Sequence, residues 1–322
     1  MSLLPRFRTL SRVVALPVLA LLVLAGCQKK ESNGKWVVGF AQMGHDNPWR
    51  MAQTASLKAE AAKRGYELVV TDAQDQTAKQ VSDVEDLIAR GVNVILLAPR
   101  EYEGLSPALQ AAKDANIPVI LVDREAEGTP GEDYVTFLGS NFVDQGRRAA
   151  EWLVKETGGT AGIVELTGTP GSSVATDRSK GFRDVIAQHP GMKIIASQTG
   201  EFSRATGQRV MQNLAQSLGR QITAVYAHND EMALGALQAL RAAGLEPGKD
   251  VRVVSVDGER AALEAIQRGE LGATVESNPR FGPIAFETIE QLRKGERIPP
   301  KKLITDRFFD RTNAAQFVAE AY

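Results

Sequence analysis

Polar and aromatic side chains in this sequence gather at the ends of short apolar runs. The side chains concerned are Gln42, Asn47, Trp49, Arg50, Asp123, Arg124, Arg178, Phe202, Asn229, Asp257 and Glu276. Amides, carboxylates and guanidinium groups donate or accept hydrogen bonds, and aromatic rings offer flat apolar faces. The set therefore has the chemistry to bind a polar ligand, provided that the fold brings its members together.

The first cluster, VGFAQMGHDNPWR at 38–50, lies at a strand-to-helix turn but lacks the composition of a phosphate-binding loop. Such loops use several closely spaced glycines so that backbone N–H groups can approach the anion. Only Gly39 and Gly44 occur here. A phosphate-cradling role is not indicated.

The elements that would carry these side chains alternate between strand and helix. Strands are predicted at 36–41, 67–73, 92–99, 117–123, 134–139, 161–168, 193–198, 222–228, 251–258 and 272–277. Helices are predicted at 48–64, 77–90, 104–115, 143–157, 177–188, 203–217, 230–243, 259–268 and 279–294. The strands are continuous apolar runs, which indicates parallel sheets covered on both faces, and the length favours two domains. In such sheets ligands bind beyond the carboxyl ends of the strands, where the polar set stands.

Each member of the set also has an ordinary structural role open to it. An aspartate at a strand end often caps the following helix, and an arginine can simply pair with a nearby acid. Trp49 has the spacing of a helical core residue. Recurrence at seven strand ends favours one shared binding site over seven unrelated roles.

Formal charge narrows the class of ligand. The charged members are Arg50, Arg124 and Arg178 against Asp123, Asp257 and Glu276, so the predicted cleft sums to zero. A phosphate or carboxylate ligand would require a cationic surplus. Neutral sugar hydroxyls match mixed donors and acceptors, and Trp49 and Phe202 would lie against the C–H faces of the sugar.

Catalytic interpretations find little support in the residue pattern. Asp123 and Asp257 could form the carboxylate pair of a glycosidase, but neither has a setting that suggests a raised pKa. The sequence has no G-x-S-x-G motif, and His45, His189 and His228 are too scattered for a metal site without cysteine partners. We therefore predict a binding protein rather than an enzyme, with no cofactor and no metal.

Composition excludes a nucleic-acid partner. The chain has 322 residues, 43% of them hydrophobic, and a formal net charge of −1. It has no long run of lysine and arginine, which is the electrostatic signature of nucleic-acid binding. These values are typical of a soluble globular protein.

The first 35 residues predict export and a lipid anchor. Three arginines precede the apolar run at 13–25, which suits a signal-peptide core but is too short to span a bilayer. Residues 24–27, Leu-Ala-Gly-Cys, resemble the lipobox of bacterial lipoproteins, which implies a signal peptide at 1–26 and lipidation of Cys27, the only cysteine. Residues 27–35 would form a polar tether. The alternative is an unpaired thiol without a role.

From Trp36 almost to the C-terminus the chain resembles the periplasmic sugar-binding proteins of ABC importers, ribose and galactofuranose binders in particular. The segments that carry the resemblance are DNPW (46–49), PVILVDRE (118–125), VELTGTPGSSVATDRSKGF (164–182), AHNDEMALGALQAL (227–240) and VVSVDG (253–258).

The resemblance implies a type I periplasmic binding protein fold, with two doubly wound parallel-sheet α/β lobes joined by a three-segment hinge. The N-terminal lobe would comprise 36–139 plus 277–303, and the C-terminal lobe 140–276 plus 304–322. The crossings would lie near 139–140, 277–278 and 304. The residue sets 42–124 and 178–276 would then face each other across one cleft.

The resemblance also implies roles for individual residues. Stacking aromatics fall on Trp49 and Phe202, and the hydroxyl-binding groups fall on Asp123, Arg124, Arg178, Asn229 and Asp257. Asn47 and Glu276 also occupy ligand-contacting positions, whereas Gln42 is predicted at the cleft from its strand-end position alone. Ribose binders have an aromatic in place of Arg50 and an amide in place of Glu276, whereas the galactofuranose-type binder shares the Trp49-Arg50 pair. This difference favours a hexose in furanose form over ribose.

The function implied is capture of a neutral monosaccharide and its delivery to an ABC permease with its ATPase. The protein would be a monomer in the periplasm or cell envelope, anchored to the membrane by lipid at Cys27. A sensor that presents its closed form to a chemoreceptor or kinase is the alternative. A lac-type repressor shares the fold, but it would need an N-terminal helix-turn-helix and would not be exported.

Overall fold

The computed structural model describes Ser2 and residues 35–322. The predicted signal peptide at 1–26 and the lipidation at Cys27 fall on the part of the chain outside the described residues. Among the described residues, no helix is long and apolar enough to cross a membrane.

Strands and helices alternate along residues 37–293 except that β5 follows β4 without a helix between them, and two further strands and a short helix follow. The strands are β1 (Val37–Gln42), β2 (Glu67–Asp72), β3 (Val94–Leu97), β4 (Val119–Val122), β5 (Thr136–Ser140), β6 (Thr160–Thr167), β7 (Gly191–Thr199), β8 (Ala224–Ala227), β9 (Arg252–Asp257), β10 (Ala273–Glu276), β11 (Lys301–Ile304) and β12 (Phe308–Asp310). The helices are α1 (Pro48–Arg64), α2 (Thr77–Ala89), α3 (Ser106–Asp114), α4 (Phe142–Thr157), α5 (Ser173–Ile186), α6 (Arg204–Leu218), α7 (Asp230–Ala242), α8 (Arg260–Gln267), α9 (Gly282–Arg293) and α10 (Ala314–Phe317).

The strands form two six-stranded sheets, in the orders β11-β5-β4-β3-β1-β2 and β12-β10-β9-β8-β6-β7. Every pairing is parallel except that of β12 with β10. Parallel strands need long crossover connections, which helices supply except between β4 and β5. The predicted fold class, two doubly wound parallel-sheet α/β lobes, is confirmed.

Both faces of each sheet are covered, which explains the continuous apolar runs. On β3, Leu96 packs in the cluster that contains Phe286 of α9, whereas Ile95 packs in the cluster that contains Leu87 of α2. All ten predicted strands overlap β1–β10, and all nine predicted helices overlap α1–α9. Helix α5 begins at Ser173, four residues before its predicted start, because Ser172 caps it by accepting from Ala175 N.

The chain passes between the sheets three times in the described region. It leaves the first sheet after β5, returns between β10 and β11, and leaves again between β11 and β12. These passages bring the carboxyl ends of β1 and β4 in one sheet to face those of β6, β8 and β9 in the other. The lobe boundaries inferred from the resemblance remain a prediction.

Candidate functional site

A cavity lies between the carboxyl ends of the two sheets and is lined from both sides. Its lining residues are Asn47, Trp49, Arg50, Asp123, Arg124, Val174, Arg178, Phe202, Asn229, Asp257 and Ser277. Nine of these were predicted from strand-end positions, and Val174 and Ser277 were not. These nine residues therefore do line one cavity, as the strand-end pattern predicted.

On the first sheet's side, Asp123 lies between two buried arginines. Its Oδ2 is 2.6 Å from Arg50 Nη2 and 3.8 Å from Arg124 Nε. Neither Asp123 Oδ2 nor Arg124 Nε has an aligned hydrogen-bond partner among the described residues, although both atoms are buried. Buried polar atoms are rarely left unmatched, so this acceptor and this donor are suited to a hydroxyl in the cavity.

On the opposite side, α5 presents Arg178, whose guanidinium is held at three points. Nε donates to Gln145 Oε1 at 2.9 Å, Nη1 donates to the carbonyl of His228, and Nη2 is 3.4 Å from Asp257 Oδ1. A guanidinium fixed in this way presents its remaining N–H groups in one direction.

Burial shifts the pKa of two cavity groups. The pKa of Asp257 is raised well above its usual value by burial and by the nearby Asp230 and Asp123, while Arg178 opposes the shift. The sequence around Asp257 did not indicate this raised pKa, because its cause is burial in the folded protein. Burial, followed by the charge of Arg50, lowers the pKa of Arg124 to about 9.

The two aromatic side chains are held in place by specific contacts. Trp49 Nε1 donates to the Ser277 carbonyl at 2.7 Å, and its ring packs edge-on against Phe281. Phe202 lies directly over Gly168, where a Cβ would come within 1.9 Å of the ring. Only glycine at 168 leaves room for the ring of Phe202 to line the cavity.

Asn47 and Asn229 each cap a helix and line the cavity at the same time. Asn47 Oδ1 accepts from Arg50 N at 2.9 Å at the start of α1, and Asn229 Oδ1 accepts from Met232 N at 3.0 Å at the start of α7. The capping alternative and the binding hypothesis are therefore compatible, because capping occupies only the amide oxygen.

Three cavity residues have backbone conformations that side chains disfavour. Asp123 has φ of 67°, Phe202 has φ of 59° and Asp257 has φ of 132°. Such conformations cost about 1–3 kcal/mol each and are concentrated at functional sites. Their presence at three strand ends supports a binding role for this cavity.

Gln42 and Glu276 were predicted at the site, but the structure does not bring them to the cavity. Gln42 Nε2 donates to Gln53 Oε1 at 2.9 Å, so Gln42 lies behind α1 and supports Arg50, whose Nη1 donates to the same oxygen at 3.1 Å. Glu276 accepts from Arg307 N at 2.9 Å and from its Nε at 3.0 Å. The ion pair with Arg307 holds the Glu276 carboxylate outside the cavity.

The position of Glu276 changes the charge balance inferred from the sequence. The cavity is lined by three arginines and two aspartates, which leaves one formal positive charge instead of none. The surplus is small, because Asp123 lies against Arg50 and Asp257 lies near Arg178.

A buried histidine supports the strand end beside Arg178. His228 Nδ1 accepts from Gly168 N at 3.4 Å, and Nε2 lies 3.2 Å from Glu165 Oε1, which assigns the proton of a neutral ring to Nε2. Burial lowers the pKa of His228 below its ordinary value of 6.5, although Glu165 opposes the shift. The ring is neutral at pH 7.

We expect wild-type protein to lose stability relative to the His228→Gln variant as pH falls below 6.5. The unfolded chain binds a proton on His228 there while the folded chain does not, so the difference changes by at most about 1.4 kcal/mol per pH unit. Urea unfolding of both proteins between pH 7.5 and 5.5 measures it. A pH-independent difference would contradict the neutral assignment.

The two sides of the cleft are joined at its rim by hydrogen bonds. Tyr102 N donates to the Gly171 carbonyl at 2.9 Å, and Glu125 N donates to Ser173 Oγ at 2.9 Å. Tyr102 and Glu125 follow strands of the first sheet, whereas Gly171 and Ser173 follow β6 of the second. The structure is thus a closed form, in which every residue that lines the cavity except Asn47 is buried.

Within the described residues, no group of three or more histidine, cysteine, aspartate or glutamate side chains is arranged to hold a metal ion. The cavity polar groups are donors and acceptors fixed by protein partners. Their arrangement is suited to recognising several hydroxyls at once.

Comparison with known proteins gives consistent matches. A family model described as a periplasmic binding protein domain matches residues 38–297. The galactofuranose-binding protein YtfQ of Escherichia coli (strain K12) is 42% identical over 271 residues, which cover 83% of this chain and 85% of that protein.

Solved structures are similar over most of the chain. The periplasmic binding protein of the arabinose ABC transporter from Shewanella sp. ANA-3, bound to α- and β-L-arabinofuranose, is 41% identical with a TM-score of 0.85, covering 88% of this chain and 95% of that one. A Mycobacterium smegmatis protein in complex with β-D-fucofuranose is 38% identical with a TM-score of 0.85, covering 88% and 94%.

Proposed function

The chain belongs to the periplasmic binding protein family, and from that premise we propose that it captures a neutral monosaccharide, a galactofuranose-like hexose or a pentose, and delivers it to an ABC transporter. The observation that carries the proposal is the closed cavity in which nine strand-end residues from both sheets converge. Similar proteins bind galactofuranose, arabinofuranose and fucofuranose, which supports a sugar in furanose form. The galactofuranose and arabinose relatives are binding proteins, not enzymes.

The sugar would be recognised by hydrogen bonds to charged side chains that are buried in the cavity. Asp123 Oδ2, which is ion-paired with Arg50, and Arg124 Nε have no aligned hydrogen-bond partner among the described residues, and Arg178 offers fixed donors from the opposite side. Hydrogen bonds to charged groups are about twice as strong as those between neutral groups. Trp49 and Phe202 would cover the apolar faces of the sugar ring.

The cavity has one surplus positive charge, so a sugar acid is the ligand that competes most directly with a neutral sugar. A carboxylate would gain from the cationic surplus, but it would also have to lie near Asp123 and Asp257. Because both acids are buried in the cavity wall, we propose the neutral sugar.

We propose lipidation of Cys27 after removal of residues 1–26, a tether at 27–35, and anchoring of a monomer at the membrane. The lobes would be 36–139 plus 277–303 and 140–276 plus 304–322. The ABC permease would recognise the closed form, in which both lobes are joined at the cleft rim.

Calorimetric titration of residues 28–322 tests the function. The panel is D-galactose, L-arabinose and D-ribose, with D-galacturonate and glucose 6-phosphate as anionic competitors. We expect at least one neutral sugar to bind with Kd of about 1 µM or tighter, which corresponds to about −8 kcal/mol. Binding of an anionic compound without binding of any neutral sugar would contradict the proposal.

A further inference from the structure

One carboxylate contacts all three passages of the chain between the sheets. Asp306 lies between β11 and β12, in the third passage. Its Oδ1 accepts from Ser140 Oγ at 3.1 Å, at the start of the first passage, and from Asn278 N at 3.4 Å, in the second. Its Oδ2 accepts from Gln145 Nε2 at 2.7 Å. Asp306 therefore ties together the segments on which the two lobes would turn.

Gln145 connects this junction to the cavity. It lies on α4 and is buried, and its Oε1 accepts from Arg178 Nε at 2.9 Å. Its Nε2 donates to Asp306 Oδ2 and, at 3.3 Å, to the Glu276 carbonyl. A single amide thus joins the guanidinium in the cavity to the hinge carboxylate.

The orientation of that amide is determined by its partners. A carboxylate of Asp306 only accepts hydrogen bonds, so it holds the NH₂ of Gln145 toward the hinge. The amide oxygen must then face Arg178, which only donates. Reversing the amide would place donor against donor at Arg178 and acceptor against acceptor at Asp306.

We propose that Gln145 and Asp306 are positioning residues that couple Arg178 to the three hinge segments, so that sugar binding and lobe closure stabilise each other. This inference rests on the proposed function, because Arg178 must be a ligand-binding group. Closure changes the backbone at hinge residues. A continuous chain of hydrogen bonds from the hinge to Arg178 makes the position of its guanidinium depend on the closed arrangement.

The charges around Asp306 keep it an acceptor under ordinary assay conditions. Burial raises its pKa to about 6, and the neighbouring carboxylate of Glu276 acts in the same direction. Arg148 Nη1 donates to the Asp306 carbonyl at 3.0 Å, and Arg307 follows it in the chain, paired with Glu276. At pH 7.5 the carboxylate is ionised and accepts all three hydrogen bonds.

A swap of the two groups tests the coupling. Asp306→Asn keeps only one oxygen, so its NH₂ meets a donor in either orientation: the NH₂ of Gln145 in one and Asn278 N in the other. Gln145→Glu places two carboxylates together. At pH 7.5 we expect each single variant to bind the best neutral sugar of the wild-type panel about tenfold or more weakly. In the double variant, the carboxylate introduced at position 145 would accept from Arg178 and from the amide introduced at position 306. We therefore expect the affinity of the double variant to lie within about threefold of wild type.

Two controls separate positioning from folding. Ser140→Ala removes one hydrogen bond to Asp306 but leaves the amide orientation unchanged, so we expect less than about a threefold loss. The affinity of Gln145→Glu should improve as pH falls from 7.5 to 5.5 relative to wild type, since two adjacent carboxylates then share a proton. Thermal unfolding without sugar records the stability of every variant.

The outcomes distinguish this inference from the proposed function. If wild-type protein binds no neutral sugar, the function itself is wrong. If wild-type protein binds but both single variants bind equally well, the coupling is wrong. Loss of affinity in the single variants without recovery in the swap also overturns it, because a restored hydrogen-bond pattern would then have no effect.

Discussion

Replacing Arg178 by alanine is expected to weaken sugar binding by about 2–5 kcal/mol, the largest effect expected for a single residue of the second sheet's side of the cavity. This loss corresponds to a roughly thirtyfold to several-thousandfold increase in Kd. The measurement is calorimetric titration of the variant with the neutral sugar that wild-type protein binds.

Arg178 donates hydrogen bonds to three buried acceptors in the wall of the cavity. Its guanidinium serves Gln145, the His228 carbonyl and Asp257, each buried. Without it, Asp257 loses the cation that opposes the rise of its pKa, and the carboxyl group becomes more readily protonated. The sugar therefore loses a direct donor and meets an altered acceptor in the same variant.

Matched variants make the test specific. Arg147→Ala removes the same group from α4, where Arg147 is half-exposed and pairs with Asp144, and we expect no change in affinity. Arg178→Lys keeps the charge but carries all its donors on one nitrogen, which cannot reach the separate partners of Nε, Nη1 and Nη2, so an intermediate loss is expected. Unchanged affinity in Arg178→Ala would place the sugar site elsewhere.

Most of the fold could be predicted because strands β1–β10 carry apolar runs, which are fully buried in the central strands β3, β4, β8 and β10. Strands β11 and β12 could not be predicted. Residues 301–304 alternate between exposed and half-buried, and β12 has only three residues. Both are edge strands, so pairing with β5 and β10 rather than local pattern makes them strands.

The site was predictable to the extent that strand-end position determines it. Gln42 and Glu276 also end strands, but their neighbours in space direct them elsewhere, and Arg307 lies beside a strand that the pattern did not reveal. Ser277 was missed as a lining residue because its contact with Trp49 uses a backbone carbonyl, which no side-chain pattern reveals. The Gln145 amide is likewise defined only by its partners.

Replacing Asp123 by alanine is expected to weaken sugar binding by about 2–5 kcal/mol and to destabilise the fold as well. The carboxylate lies between Arg50 and Arg124, which are 4% and 3% exposed. Its removal leaves two buried like charges without the anion between them, and leaving a buried charge unpaired costs about 3–5 kcal/mol.

The backbone at this position requires its own control. With φ of 67°, residue 123 has a conformation that Asn and Gly adopt more readily than Ala. Asp123→Gly removes the carboxylate without backbone strain, and Asp123→Asn keeps the shape and one acceptor without the charge. We expect Asp123→Gly to lose nearly as much affinity as Asp123→Ala, and Asp123→Asn to lose less.

The pH dependence of the glycine variant identifies the charge effect. Burial and Arg50 lower the pKa of Arg124 to about 9, and Asp123 is a charge that opposes this shift. Without Asp123, Arg124 loses its proton at lower pH, so residual affinity should decline between pH 7 and 9 more steeply than in wild type. A lost hydrogen bond alone would weaken binding equally at pH 7 and at pH 9. If Asp123→Gly kept full affinity and its pH profile were parallel to that of wild type, this carboxylate would neither bind the sugar nor hold the two arginines.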